Sequence, residues 1–216
     1  IHTPARKKPE ERHTTPLPVY CSRMDSQIIL SNIRRHVELR KEEEEFLLAI
    51  LIPASYKQGA MVQEVGEVTR GMIHVNTGCL MTYHTTKGGD ESVVQFATSG
   101  WWTGDLASIK SQEPSIYATR TLADSSIYLL PGIRMEELLT RYPVFERYFR
   151  ITFQNSLITH QRRLIQAYSF TAEERYNYFQ KKYPQLEQYV PLKYVASYLG
   201  MTPEFLSKIR RKRMGK

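Results

Sequence analysis

Apolar and polar positions change their spacing three times along the chain. Residues 1–23 hold four prolines and few apolar side chains. That composition cannot bury a core, so the segment reads as a disordered leader or an added extension. Met24, at the head of a helical pattern, reads as the natural start. Over residues 28–36, Ile28, Ile29 and Ile33 fall at helical spacing. Four glutamates, 42–45, then precede an apolar run at 46–52. Acidic residues suit a helix first turn, because the dipole there is positive, so a second helix through residue 52 with a solvated acidic start is expected.

From residue 56 the pattern shortens. Runs at 59–63, 72–76, 79–84, 92–96, 116–122 and 126–130 are rich in β-branched and aromatic residues. Gly66, Gly71, Gly78, Gly88, Gly89, Gly100 and Gly104 stand between them. Short strands at this spacing, with turn signals between, predict an antiparallel jelly roll or β-barrel.

After Pro131 and Gly132 the helical period returns. Residues 134–141 form a short helix, and Pro143 opens a long one reaching about residue 168. Phe149, Phe153, Leu157, Leu164 and Tyr168 make a seam on it, with His160 in the gap. A second face carries Tyr148, Ile151, Ile158 and Ile165. Two apolar faces on one helix suit simultaneous packing on the barrel and on a twin helix; burial on both sides within a monomer fits the same pattern. Thr171 and Glu174 have capping-box spacing for the next helix, ending near Tyr183 and Pro184.

The last stretch is the most informative. Pro191 suits the first position of a helix whose stripe is Leu192, Val195, Ala196 and Leu199. Gly200 sits where a left-handed residue ends a helix, Thr202 is an N-cap candidate and Pro203 follows it. Phe205, Leu206 and Ile209 read as the apolar face of the second helix; Glu204, Ser207, Lys208, Arg210 and Arg211 lie opposite. Two helices about a glycine turn, the second with a basic face, make a helix-turn-helix, whose second helix fits the DNA major groove. A helical hairpin with a solvated basic end has the same signature.

Charge sharpens that reading. The net charge is +8 over 216 residues. Residues 24–140 carry ten basic and fifteen acidic side chains, whereas 141–216 carry fifteen and five. The positive field therefore belongs to the helical third, where it would attract phosphates. Cys21 and Cys79 are the only cysteines, too few for a disulfide framework or a four-thiolate cluster. No run is long and apolar enough to span a membrane and no signal peptide is visible, so a cytoplasmic protein without membrane contact is expected.

A jelly roll, a long connecting helix and a terminal helix-turn-helix, in that order from Met24 to about residue 213, resemble the Crp/Fnr transcription factors. The likeness rests on Gly66 and Glu67, on residues 72–78, on Gly104, Asp105 and Leu106, and on Glu204, Ser207 and Lys208 in the recognition-helix pattern. It implies an α+β fold in four parts: a leader over 1–23, a cyclic-nucleotide-binding-like barrel over 24–142, a dimerisation helix over 143–169 and a helix-turn-helix domain over 170–216. The dimer helix would use Phe149, Phe153, Leu157, His160, Leu164 and Tyr168. DNA contacts would come from Thr202, Pro203, Glu204, Ser207, Lys208, Arg210, Arg211 and Lys212, with Glu204 accepting from cytosine, Lys208 donating to guanine and Thr202 at a phosphate. The partners implied are double-stranded DNA, a second copy of the chain and RNA polymerase. The effector pocket would comprise Gly104, Asp105, Leu106, Ser115, Ile116 and Arg120.

Several features depart from the family pattern. Asp105 replaces a glutamate, and Ser115 and Ile116 stand where an arginine and a serine would hold the cyclic phosphate. Arg120 lies five residues on from Ser115, a weak substitute. Pro203 occupies the place of another DNA-contacting arginine, and the sequence stops soon after the second helix, so the β-hairpin wing of the family is expected to be absent or cut short. An effector other than cyclic AMP, or none, is therefore expected. Haem would need His74, His84 or His160 as axial ligands, and a cupin-type metalloenzyme would need clustered histidines; neither pattern is present, so no metal and no enzymatic activity are expected. The competing expectation is a ligand-sensing barrel that acts through protein contacts, its basic tail docking an acidic partner.

Overall fold

The structure, a computed structural model, describes residues 24–186 and 189–213. The leader expected over residues 1–23, with Cys21, lies outside the described residues. Eight strands form two four-stranded antiparallel sheets. The strands are β1 (Ile52–Tyr56), β2 (Met61–Gln63), β3 (Gly71–Thr77), β4 (Cys79–Thr85), β5 (Glu91–Thr98), β6 (Trp102–Thr103), β7 (Tyr117–Thr121) and β8 (Ser125–Pro131). One sheet runs β1-β8-β3-β6 and the other β2-β7-β4-β5.

Strand alternation divides each sheet into an inner and an outer face. Ala54, Ile73, Val75, Leu80, Ala97 and Ile127 meet between the sheets. Beside them Thr82 Oγ1 lies 3.0 Å from that of Thr119 and 3.1 Å from that of Thr103, so these buried hydroxyls satisfy one another. Gly78 is required where β3 turns into β4: φ is +91°, and a Cβ would lie 2.2 Å from Ser125 Oγ. This is the jelly roll that the strand spacing predicts.

Both outer faces are covered by helices. Met72, Trp102, Tyr128 and Leu130 of the first sheet pack under α1 (Gln27–Arg34), α2 (Lys41–Ile50), α4 (Gly132–Arg141) and the start of α5 (Pro143–Ser169). Cys79, Met81, Tyr83, Val93 and Phe96 of the second sheet share a core with Tyr176, Phe179, Val195, Ala196, Leu199, Leu206 and Ile209. Those residues belong to α6 (Ala172–Lys182), α7 (Leu192–Leu199) and α8 (Pro203–Arg213). The terminal helices therefore build one core with the barrel as well as with each other.

Three local expectations need correction. The second helix stops at Ile50 and Ile52–Tyr56 pairs with β8 as a strand. Pro53 disfavours helix at the residue before it and is tolerated because β1 is an edge strand. The acidic start of α2 is not wholly solvated. Glu43 is buried, accepting the Arg40 backbone N–H at 2.7 Å and its guanidinium at 2.8 Å. A further short helix, α3 (Leu106–Ser111), was not expected; Asp105 caps it. The Thr171–Glu174 capping box forms in both directions, at 3.3 and 2.8 Å.

Candidate DNA interface and effector sites

The helix pair at the end of the chain is held by its own apolar stripe. Val195, Ala196, Leu199, Leu206 and Ile209 are buried together. Gly200 ends α7 in the left-handed conformation, at φ +66°, which lets the chain reverse into α8 within a few residues. Thr202 Oγ1 accepts the Phe205 N–H at 3.2 Å, satisfying one of the free amides at the start of α8.

Burial of Leu206 and Ile209 turns the opposite face of α8 outward. Thr202, Pro203, Glu204, Lys208 and Arg211 are exposed; Ser207 and Arg210 are half-buried. Ser207 donates to the Pro203 carbonyl at 2.8 Å. Exposed Lys212 reaches Glu173 at 3.5 Å, so part of its charge is already matched. Phe205 is not part of the buried stripe as expected, but 49% exposed. It lies one residue off the centre of the stripe set by Leu206 and Ile209, so half of its ring projects beside Glu204 and Lys208.

Helix α5 is buried only at its start. Phe149 is 2% exposed, with its ring 5.3 Å from that of Trp102. It is therefore committed to the chain's own core, which corrects its expected place in a seam for a twin helix. Tyr148, expected on the second face, is likewise buried, receiving the Trp102 indole N–H at 2.8 Å. Phe153 is half-buried. Beyond it Leu157, Ile158, Leu164, Ile165 and Tyr168 are exposed, between 43% and 83%. His160 bonds back to the Ser156 carbonyl at 2.8 Å and lines a groove beside α1 and β5.

The residues expected around an effector in the barrel are not assembled into one pocket. Asp105 spends its carboxylate on the amides of Ala107 and Ser108, at 3.0 and 3.3 Å, and on the Ser115 hydroxyl at 2.8 Å. Gly104, at φ +151°, brings it there. Leu106 and Ile116 are exposed. Arg120 does not join them: its guanidinium binds Glu91 and the Tyr194 hydroxyl, 4.9 Å from the centre of the Tyr83 ring. Arg120 thus ties β7 to β5 and α7. Sequence distance from Ser115 suggested otherwise because β7 carries alternate side chains to opposite faces.

The same junction holds groups that the sequence reading missed. Ser197 of α7 donates to the Glu91 carbonyl at 2.7 Å and accepts the Val93 N–H at 2.9 Å. Arg163 of α5 binds the carbonyls of Val93 at 2.9 Å and Tyr198 at 3.0 Å, and also that of Val94. The available signal was the Arg162–Arg163 pair set between the apolar pairs Leu157–Ile158 and Leu164–Ile165 of the long helix. Among the described residues no three His, Cys, Asp or Glu side chains converge as a metal site, and no helix is long and apolar enough to cross a membrane. Of the histidines weighed for haem, His74 is fully buried, whereas His84 and His160 are exposed.

Comparison with known proteins identifies the fold. Residues 53–142 match the family described as cyclic nucleotide-binding domain. The whole arrangement matches solved bacterial regulators. The c-di-GMP responsive global regulator CLP of Xanthomonas campestris aligns with a TM-score of 0.68 at 14% identity, over 82% of this chain and 92% of that one. FixK2 of Bradyrhizobium japonicum aligns at 0.66 and 18% identity, over 76% and 84%. The Catabolite Activator Protein of Thermus thermophilus aligns at 0.52 and 19%, over 81% and 83%. No curated protein sequence matches the chain. The chain has the fold of the Crp/Fnr transcriptional regulators, a cyclic nucleotide-binding domain followed by a long helix and terminal helices.

Proposed function

We propose that the chain is a homodimeric, sequence-specific DNA-binding regulator of transcription of the Crp/Fnr type, and not an enzyme. The observation that carries the reading is the outer face of α8. There Glu204, Lys208 and Arg211 stand exposed on a capped helix, and none of them forms an ion pair with a described residue. In a major groove Glu204 accepts from a cytosine amino group and Lys208 donates to guanine O6 or N7. Thr202 and the first amides of α8 meet a phosphate, with Arg210, Arg211 and Lys212 supplying charge and Ser207 a further polar contact. Pro203 opens the helix without a base contact. Phe205 adds an apolar group at the edge of the face, suited to a thymine methyl.

The exposed apolar turns of α5, Leu157 to Tyr168, supply the surface for a second copy. Each copy then presents one α8 to one half-site, and the half-sites lie roughly 10 bp apart. RNA polymerase is the further partner such a regulator works with. An effector other than cyclic AMP fits this barrel better: Asp105 is used as a cap and so is withheld from a ribose hydroxyl, and with Arg120 turned to Glu91 a buried phosphate would lack a counter-charge.

Selection of sites from a random DNA pool at near-physiological salt tests this. An inverted repeat is expected. A pool that stays featureless both without and with added phosphate and carboxylate effectors would defeat the proposal and favour a barrel acting through protein contacts.

A further inference from the structure

Helices α5, α6 and α7 enclose a cleft of about 260 Å3. Three cations line it, Arg163, Arg175 and Lys182, and no carboxylate does. Each lacks a counter-charge among the described residues. Arg163 is satisfied by backbone carbonyls and by the Tyr198 ring, 4.1 Å from its guanidinium carbon. Arg175 donates from Nη1 to the Ala167 carbonyl at 3.2 Å, while its Nε is buried without a partner. Lys182 has only the Thr159 hydroxyl at 3.4 Å and the rings of Tyr183 and Tyr178, at 5.2 and 6.0 Å.

Carbonyls and ring faces solvate a cation without neutralising it. Burial pushes the Arg163 guanidinium and the Lys182 ammonium below their ordinary ranges, Arg162 adding to the effect at Lys182. Elsewhere in the chain a sheltered arginine has its carboxylate: Arg120 has Glu91. Three uncompensated cations around one cleft are the arrangement that stabilises a bound anion, through charge-assisted hydrogen bonds in a partly desolvated site.

The position matters as much as the charge. Arg163 belongs to α5, Arg175 and Lys182 belong to α6, and Gly200 on the cleft wall is the turn between α7 and α8. A ligand bridging these groups would draw together the long helix and the unit that carries the outer face of α8. A neighbouring groove of about 370 Å3 shares Arg163, Lys182 and Tyr183 and brings in Trp101 and Trp102, the chain's two tryptophans.

We propose that this cleft is an effector site for a compact multivalent oxyanion, a phosphate ester or a polycarboxylate, and that its occupancy sets DNA affinity by fixing α6 and α7 against α5. The binding site stands on the cleft alone; the effect on DNA rests on the function proposed above.

The test titrates the full chain with inorganic pyrophosphate and, separately, with citrate at constant ionic strength, following tryptophan emission. At least one anion should give a saturable change, and which one does so tells phosphate from carboxylate. Arg175→Gln with Lys182→Gln should weaken binding by at least about tenfold, the scale of losing charged hydrogen bonds. Lys182→Gln alone, the milder change, should weaken it measurably. Lys208→Ala with Arg211→Gln should bind the anion as the unaltered chain does. The site is refuted if neither anion saturates, or if the α8 variant loses binding as much as the cleft variant. Gel shifts on the selected inverted repeat read the coupling: the anion should change affinity in the unaltered chain and not in the cleft variant. Saturable binding with no DNA site recovered would refute the regulator reading and leave the site standing. A recovered DNA site that ignores a bound anion would refute the coupling.

Discussion

His74 should make the protein acid-sensitive in a defined window. The side chain lies on β3 beneath the helices, fully buried, its ring 5.1 Å from that of Trp102. Neither ring nitrogen has a hydrogen-bond partner. Burial without a partner disfavours the charged imidazolium and lowers the folded pKa from 6.5 to about 4. Above pH 6.5 the ring is neutral whether the chain is folded or not, and stability does not depend on it. Between pH 6.5 and 4 only the unfolded chain takes up the proton, so stability falls as pH falls, by about 1.4 kcal/mol per unit. The whole window is worth roughly 3 kcal/mol, a large share of an ordinary domain's stability. The assay is urea unfolding followed by circular dichroism at pH 7 and pH 4.5, on the unaltered chain and on His74→Phe. Carboxylates such as Glu43 titrate in both proteins and cancel in the difference. The unaltered chain should lose about 2–3 kcal/mol more than the variant on acidification. Equal losses in the two would refute the reasoning, because His74 would then bind protons equally in both states.

Four further outcomes follow from the geometry. Lys208→Ala should relax base preference by about 1–3 kcal/mol at one position of a selected site, whereas Arg211→Ala should weaken all sequences alike; band shifts on single-base site variants separate the two. Replacing one site thymine by deoxyuridine should cost the unaltered chain about 0.8 kcal/mol, one methyl's burial, and cost Phe205→Ala nothing. Leu157→Glu with Leu164→Glu should leave the barrel folded but yield monomers in sedimentation, since each leucine withdrawn from an interface forfeits about 1.5–3 kcal/mol. Gly200→Ala should cost about 1 kcal/mol in thermal unfolding, from the left-handed backbone alone, because a Cβ there meets nothing within 4 Å.

Much of the architecture is legible in the sequence because periodicity reports burial on one face. The jelly roll, the long helix from Pro143 and the Gly200 turn follow from spacing and from residues with backbone restrictions. Misplaced features share a different cause. Phe149 has the spacing of a seam for a twin helix, yet Trp102, far away in sequence, captures it. Arg120 is near Ser115 in sequence, yet Glu91 and Tyr194 determine its direction. Phe205 sits beside two core residues, and only the rotation of α8 fixed by Leu206 and Ile209 turns half of it out. In each case a periodic pattern names the face of an element, but the partner that claims a side chain comes from another element and leaves no local trace.

That distinction also explains why the barrel and the junction read so differently. The glycine landmarks at Gly78 and Gly104 survive because backbone geometry demands them. The side chains that would hold a cyclic nucleotide are the part a fold does not need, and here Asp105 caps a helix and Arg120 ties β7 to β5 and α7. Unpaired cations stand instead at the joint between α5 and α6, where Arg163, Arg175 and Lys182 face one cleft with no acid among its described lining residues. A structural role alone would be served as well by neutral donors to the same carbonyls, at less desolvation cost. Three full charges at the joint that connects the long helix to α8 therefore suit the anion proposed to bind there.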